Sequence, residues 1–233
     1  LFRGKERFKT QRITVHAIKA IHRDSFEPFG ARMAAIPIED YFDMFRKLQL
    51  FPGLFDLIES IGVKQGDTSL HIGAGTDFMP GFLMAYRGAH SVTVDSSGQR
   101  SPEEFKALDY YTDGIGYYRR VFSVSGGQYD VLPPMNYMDL PLPESSQKVV
   151  MLFNVLDALD GTTLQEMIRK VLFEAEEGGY VLGSVMYGYD ETLAQFHAIA
   201  GSMNIELREV ETDKPLKCWG RPFAFEVTEK RPV

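Results

Sequence analysis

Cysteine is nearly absent from this chain of 233 residues, which has only Cys218. A single cysteine can form no internal disulfide and no cysteine-rich zinc site, which favours a reducing compartment. No apolar run reaches the roughly 20 residues of a membrane helix, and the first residues lack the apolar segment of a signal peptide. We therefore expect a cytoplasmic protein without a membrane partner.

The sequence also lacks internal repeats and low-complexity tracts. Hydrophobic residues make up 44% of the chain and charged residues 24%. These shares are typical of soluble globular proteins and exclude a disordered or collagen-like chain. The length predicts one α/β domain with an extension, or two small domains.

Charge is distributed unevenly along the chain. The net charge is −7, yet residues 1–23 carry seven basic side chains and one acidic side chain. Such a basic segment could bind nucleic acid or an acidic substrate, or it could be a solvated tail that neutralises the acidic remainder of the chain. Because the whole chain is acidic, we favour the tail and expect no nucleic-acid partner. A small-molecule substrate is the expected partner, and no oligomeric state is predicted.

Short apolar runs alternate with helical patterns from residue 63 onward. Helices are predicted over 52–61, 78–86, 102–111 and 191–202, and over a segment that begins at Asp160 or Thr162 and ends at Gly178. The seven predicted strands are Thr68–Gly73, Ser91–Asp95, a short strand within Val131–Met138, Lys148–Phe153, Tyr180–Met186, Ile205–Val210 and Phe223–Thr228. This alternation predicts a doubly wound, mostly parallel sheet with helices on both faces. The last two strands have no helix between them, which predicts an antiparallel terminal pair.

A glycine-rich turn follows the first predicted strand. Gly73 permits a tight turn, and Gly75 allows a ligand to approach the backbone closely. The helix that follows leaves free backbone N–H groups at the carboxyl end of the strand, where ligands of open α/β sheets bind. Asp95 ends the second strand at a spacing typical of a carboxylate that binds ribose hydroxyls, although it could instead cap the next turn.

Two segments resemble motifs of the class I S-adenosylmethionine-dependent methyltransferases. Residues 63–76, VKQGDTSLHIGAGT, are similar to the first motif of that superfamily, and residues 136–150, NYMDLPLPESSQKVV, to a later one. The resemblance covers roughly residues 50–230. It implies a Rossmann-like domain over 51–233 that binds S-adenosylmethionine, preceded by an extension over 1–50 that is a candidate substrate lid.

The resemblance also implies a set of functional residues. Three of them, Asn154, Tyr187 and Tyr189, are candidates for catalysis because they follow the fourth and fifth strands. The implied cofactor-binding residues are His71, Gly73, Ala74, Gly75, Asp95, Ser96, Met138, Asp139 and Asn154. Asp139 with Met138 beside it corresponds to the position that lies against adenine.

Two positions depart from the pattern of the superfamily. His71 stands where an acid usually contacts the methionine end of the cofactor, and Asp77 stands near the third glycine. A neutral His71 could accept a hydrogen bond from the cofactor's ammonium group, whereas a protonated one would repel it. These departures leave a methyltransferase-like binding or scaffold protein as the alternative function.

Individual residues also fit other interpretations. Gly73, Gly75 and Asp95 are also typical of nicotinamide-dependent oxidoreductases, but the run Asp139–Pro141 and the terminal strand pair favour the methyltransferase.

Asp157 and Asp160 could ligate a metal ion, but two such carboxylates are more often a turn residue and an N-cap. We therefore predict no metal. His197 is expected to have a packing role.

Overall fold

The structure is a computed structural model that describes Leu57 and residues 60–74, 79–96, 127–132, 135–153, 155–210 and 220–231. The predicted extension over 1–50 and the predicted helix over 102–111 lie outside these residues. Leu57, Ser60 and Ile61 are helical, and Gly62 follows them with φ +70°. The prediction that Gly62 ends this helix is thus confirmed.

Seven strands form one sheet, as predicted. They are β1 (Thr68–Ile72), β2 (His90–Val94), β3 (Gln128–Val131), β4 (Gln147–Phe153), β5 (Ala175–Val185), β6 (Ile205–Glu209) and β7 (Arg221–Lys230). Their order across the sheet is β3-β2-β1-β4-β5-β7-β6. Strands β1 to β5 pair in parallel, and β7 pairs antiparallel with both β5 and β6. The predicted mostly parallel sheet with an antiparallel terminal strand is confirmed.

Within the described ranges, three longer helices cover the two faces of this sheet. They are α1 (Met79–Tyr86), α2 (Gly161–Glu174) and α3 (Tyr189–Ser202). Helices α2 and α3 pack on the face that carries Leu70 and Val150, and α1 places Gly81 over Tyr129 on the opposite face. Among the described residues, no helix is both long and apolar enough to cross a membrane.

The pattern that predicted α2 has its expected physical basis. Asp160 is the N-cap, and its side chain accepts a hydrogen bond from the Thr163 backbone N–H at 2.9 Å. The apolar residues at helical spacing are all buried: Leu164, Met167, Ile168, Val171, Leu172 and Ala175. The first five form the apolar side of α2 that lies against the sheet, and Ala175 follows the end of the helix.

The predicted end of α2 was wrong. The helix stops at Glu174, and β5 begins at Ala175, so Gly178 and Gly179 lie inside the strand. Ala175 has extended backbone angles, although its N–H still bonds to the Val171 carbonyl. Gly178 adopts φ +72° in an irregular stretch of the β4–β5 register, where its carbonyl accepts a hydrogen bond from Lys148 Nζ at 2.6 Å. The glycines therefore form a strand irregularity and not a helix cap.

The third strand lies earlier than its predicted segment, 131–138. It runs over Gln128–Val131, and only its last residue falls in that segment. Pro133 and Pro134 follow it in the sequence, and proline has no N–H to donate to a strand ladder. Tyr137–Asp139 form a 3-10 helix instead.

Candidate functional site

The carboxyl ends of β1 and β4 meet at a glycine turn. Gly73 has φ +66°, and its N–H donates to the Val94 carbonyl at 2.8 Å. A Cβ at this position would lie 2.5 Å from Val155 Cγ2, in the turn after β4. Both the backbone angle and this close approach favour glycine. The turn that the sequence motif predicted therefore lies at the point between β1 and β4 where the strand order reverses. Ligands of open α/β sheets bind at such a point, and we call this place the crevice.

The end of β2 joins the same crevice. The Leu132 N–H donates to the Thr93 carbonyl at 2.9 Å, and the Met135 N–H donates to the Asp95 carbonyl at 3.0 Å. These bonds hold the chain after β3 against the residues that follow β2. Half-buried Asp95 and exposed Ser96 thus lie beside the turn that leads to Asp139.

The 3-10 helix Tyr137–Asp139 presents the residues that the resemblance places against adenine. Asn136 is its N-cap, and Asn136 Oδ1 accepts from the Met138 N–H at 3.1 Å. Met138 is half-buried and packs against the core, and Asp139 is exposed. The structure therefore brings the backbone at positions 73, 95 and 135–139 to one edge of the sheet.

His71 lies just before the glycine turn and is 2% exposed. Its register partners are Thr93 and Met151, and its ring meets Phe153 edge-on with the centroids 6.3 Å apart. Burial lowers the pKa of His71 to about 4, and the charge of Asp95 offsets part of that effect. Within the described part of the chain, His71 Nδ1 has no hydrogen-bond partner. His71 is therefore neutral at pH 7, and its Nδ1 is a buried nitrogen without a partner among these residues.

The loop after β5 is held by Asp157. This carboxylate accepts hydrogen bonds from the backbone N–H groups of Met186 and Tyr187, at distances of 2.9 to 3.0 Å. The Tyr187 side chain is 78% exposed. The backbone of Tyr187 is thus fixed while its ring is accessible to a ligand.

Tyr189 makes contacts that give it a packing role. Its hydroxyl donates to the Pro222 carbonyl at 3.0 Å, and the Arg221 guanidinium lies 3.7 Å from its ring centroid. Burial raises the pKa of its hydroxyl. Tyr187 and Tyr189 thus differ, because among the described residues the Tyr189 hydroxyl has a backbone partner and the Tyr187 ring is exposed.

The two aspartates that a metal site would use have structural partners instead. Asp157 binds the loop after β5, and Asp160 caps α2. In the described ranges, no group of three or more histidine, cysteine, aspartate or glutamate residues could hold a metal ion. His197 lies edge-on to Phe225, with the ring centroids 5.3 Å apart, which is consistent with its predicted packing role.

Three of the singled-out positions, Gly75, Asp77 and Asn154, lie outside the described residues. Sequence reasoning did not foresee the contact between Val155 and Gly73, because that contact carries no local signal. It also missed Tyr137, Lys170 and Glu174, which meet beneath the turn at Met138 and Asp139. The i,i+4 spacing of Lys170 and Glu174 indicates a helix ion pair, but nothing local indicates the tyrosine.

Comparison with known proteins identifies the fold. No protein-family model matches the sequence, and no curated protein is significantly similar to it. A provisional S-adenosyl-L-methionine-dependent methyltransferase from Methanococcus maripaludis is 11% identical with a TM-score of 0.53, over 83% of this chain and 94% of that one.

Two further solved structures are similar. Magnesium protoporphyrin IX methyltransferase from Synechocystis PCC 6803, with bound cofactor, is 15% identical with a TM-score of 0.52, over 75% of this chain and 76% of that one. A TehB-like methyltransferase from Corynebacterium glutamicum is 16% identical with a TM-score of 0.50, over 81% and 97%. Together with the strand order, these likenesses show that the chain has the fold of the class I S-adenosylmethionine-dependent methyltransferases.

Proposed function

We propose that this protein is an S-adenosylmethionine-dependent methyltransferase that acts on a small molecule. One observation carries the proposal: the Gly73 turn packs on Val155 at the same sheet edge as Asp95 and the turn that ends at Asp139. A nucleoside needs this combination of a close backbone approach and nearby carboxylates.

The residues of the crevice fit the cofactor. The Gly73 turn carries no side chain and packs closely on Val155. The neutral His71 has a buried Nδ1 without a hydrogen-bond partner among the described residues, and we propose that it accepts a hydrogen bond from the ammonium group of the cofactor. We assign Gly73, Ala74 and Gly75 to the methionine end, Asp95 and Ser96 to the ribose, and Met138 and Asp139 to the adenine. Asn154 completes the set, since it lies between β4 and Val155 in the sequence.

The cofactor supplies the electrophilic methyl group when bound. The chain contributes position, and alignment of the reacting groups is worth roughly 7–11 kcal/mol in favourable cases. Tyr187 is the side chain best placed to touch a substrate, since its ring is exposed and its backbone is held. Asn154 and Tyr189 stay as predicted catalytic candidates, Tyr189 with its hydroxyl bonded to Pro222.

Isothermal titration with S-adenosylmethionine and S-adenosylhomocysteine tests the proposal. We expect saturable binding, and we expect Asp95→Ala to weaken it by roughly 1–3 kcal/mol through loss of charge-assisted hydrogen bonds. Asp67→Ala is the matched control, because Asp67 precedes β1 at the opposite edge of the sheet and accepts from the Lys64 N–H. Absence of heat with the wild-type chain at millimolar ligand would reject the proposal. Equal losses for the two variants would reject the ribose role of Asp95.

His71 favours a second candidate function, a binding or scaffold protein without turnover. The imidazole replaces the acid that the superfamily usually has at this position. Mass spectrometry of S-adenosylhomocysteine formed in the presence of candidate substrates distinguishes the two functions. Turnover would exclude the scaffold, whereas binding without product over a broad substrate panel would support it.

A further inference from the structure

A cluster built around a fully buried glutamate lies beneath the turn that we assign to adenine. This group, the Tyr137 cluster, consists of Tyr137, Lys170 and Glu174. The Tyr137 hydroxyl donates to Glu174 Oε2 at 2.5 Å, and Lys170 Nζ lies 2.9 Å from Glu174 Oε1. Glu174 is fully buried and Tyr137 is 4% exposed. A buried carboxylate of this kind requires its partners, because an unpaired charge away from water is strongly unfavourable.

The cluster contacts the chain both before and after Met138 and Asp139. Tyr137 precedes them in the same 3-10 helix, and Leu140 follows them. Lys170 Nζ donates to the Leu140 carbonyl at 2.6 Å and lies 5.0 Å from the centroid of the Tyr137 ring. The turn therefore cannot shift against α2 without disrupting contacts of the buried Glu174 and Lys170.

The protonation states agree with this arrangement. Burial and the Glu174 carboxylate raise the pKa of the Tyr137 hydroxyl, so it remains a hydrogen-bond donor. Burial also raises the pKa of Glu174, while Lys170 and Tyr137 act in the opposite direction. Both neighbours thus favour the ionised form of the Glu174 carboxyl group, against the effect of its burial.

We infer that Tyr137, Lys170 and Glu174 are positioning residues that hold Met138 and Asp139 against the base and thereby set the selectivity of the cofactor site for adenine. This inference rests on the proposed function. A preorganised turn presents its acceptors to the adenine 6-amino group without an ordering cost. A purine with a 6-oxo group would place a hydrogen-bond acceptor opposite the acceptors of the turn. A rigid turn cannot move to relieve this mismatch, so it disfavours that purine.

The test compares two ligands, S-adenosylhomocysteine and its 6-oxo analogue S-inosylhomocysteine, on the full chain by isothermal titration. We expect the wild-type protein to prefer the adenosyl compound at least tenfold. Tyr137→Phe and Lys170→Met should each reduce that preference at least threefold. The reduction should arise mostly from weaker binding of the adenosyl compound. Lys170→Arg should retain more of the preference than Lys170→Met, since it keeps the charge.

Tyr129→Phe is the matched control. The Tyr129 hydroxyl also makes a fully buried hydrogen bond, to Thr93 Oγ1 at 2.8 Å, but on the opposite face of the sheet. We expect this variant to lose thermal stability without losing the preference. The ratio of two affinities is insensitive to a general loss of folded protein. A variant with a lower melting temperature therefore still reports the preference for one base over the other.

The outcomes separate the two proposals. If the wild-type protein binds neither ligand, the proposed function fails. If it binds the adenosyl compound but does not prefer it, or if Tyr137→Phe and Lys170→Met keep the preference, the proposed function stands and the positioning role is overturned. An equal loss of preference in Tyr129→Phe would also overturn it, because the effect would not be local.

Discussion

At the scale of single residues, His71 decides the electrostatics of the crevice. It is buried in β1 beside the glycine turn, and burial is the largest influence on its pKa. A charged imidazole there would be costly because no water can solvate it. The neutral ring thus differs from the acid of the superfamily in charge, yet it can still accept a hydrogen bond.

Acid should destabilise the protein through His71. Its pKa is about 4 in the folded chain, against 6.5 for an exposed histidine. The contribution of His71 to the free energy of unfolding is therefore fully present above pH 6.5 and is lost as the pH falls through about 4. The change is roughly 3 kcal/mol. We expect denaturant titrations between these pH values to show this loss in the wild type and a smaller one in His71→Gln, which does not titrate.

Cofactor affinity gives a second readout of the same residue. Because His71 is already neutral at pH 6.5, we expect the affinity for S-adenosylhomocysteine to show no step near that value. Identical pH slopes of stability in the wild type and His71→Gln, or a binding step near pH 6.5, would contradict a depressed pKa.

At the scale of elements, two neighbouring aspartates fix different connections. Asp157, in the 3-10 helix Leu156–Ala158 after β4, bonds to the loop after β5, and Asp160 is the N-cap of α2. The two aspartates lie three residues apart in the chain, yet of these two only Asp157 bonds to a segment distant in the sequence. The loop that carries Tyr187 therefore depends on a tertiary hydrogen bond, whereas the start of α2 depends on a local one.

Asp157→Ala should loosen the β5–α3 loop. We expect faster amide exchange at Met186 and Tyr187, which lose their acceptor, with cofactor affinity changed less than threefold. Asp160→Ala is the control, and loss of its cap should lower stability by about 1 kcal/mol without faster exchange in that loop. Unchanged exchange in Asp157→Ala would show that other contacts hold the loop.

At the scale of the whole molecule, the buried hydrophobic cluster of the described residues comes from residues 70–227. Strands β1 to β7 all lie within 68–230. We propose that residues 1–50 are an extension that contributes to the substrate side and not to cofactor binding.

Deletion of residues 1–50 should separate these roles. We expect the chain 51–233 to stay folded and to bind S-adenosylhomocysteine within about threefold of the full chain, because the crevice residues are all retained. Methyl transfer to a substrate should fall at least tenfold. Circular dichroism and titration check the first two results. Unfolding, or loss of cofactor binding in a folded chain, would place the extension within the cofactor domain.

The sequence predicted the elements best where one physical signal dominates. The apolar residues of α2 recur at helical spacing and all lie in the core, and Asp160 caps that helix. The strand bounds of β1, β2 and β4 agree with prediction to within a residue. The end of α2 was mispredicted because the Gly178–Gly179 pair is a common helix stop, whereas here the β4 pairing continues back to Ala175.

The glycine motif, the carboxylates and the strand alternation were determined by the sequence alone, because each rests on local backbone chemistry or on the period of apolar residues. Only the tertiary structure decided that β7 lies between β5 and β6, that His71 is neutral, and that Tyr137 meets Glu174. The reason is physical: strand order, desolvation and buried ion pairing depend on which distant residues pack together, and no local pattern records that.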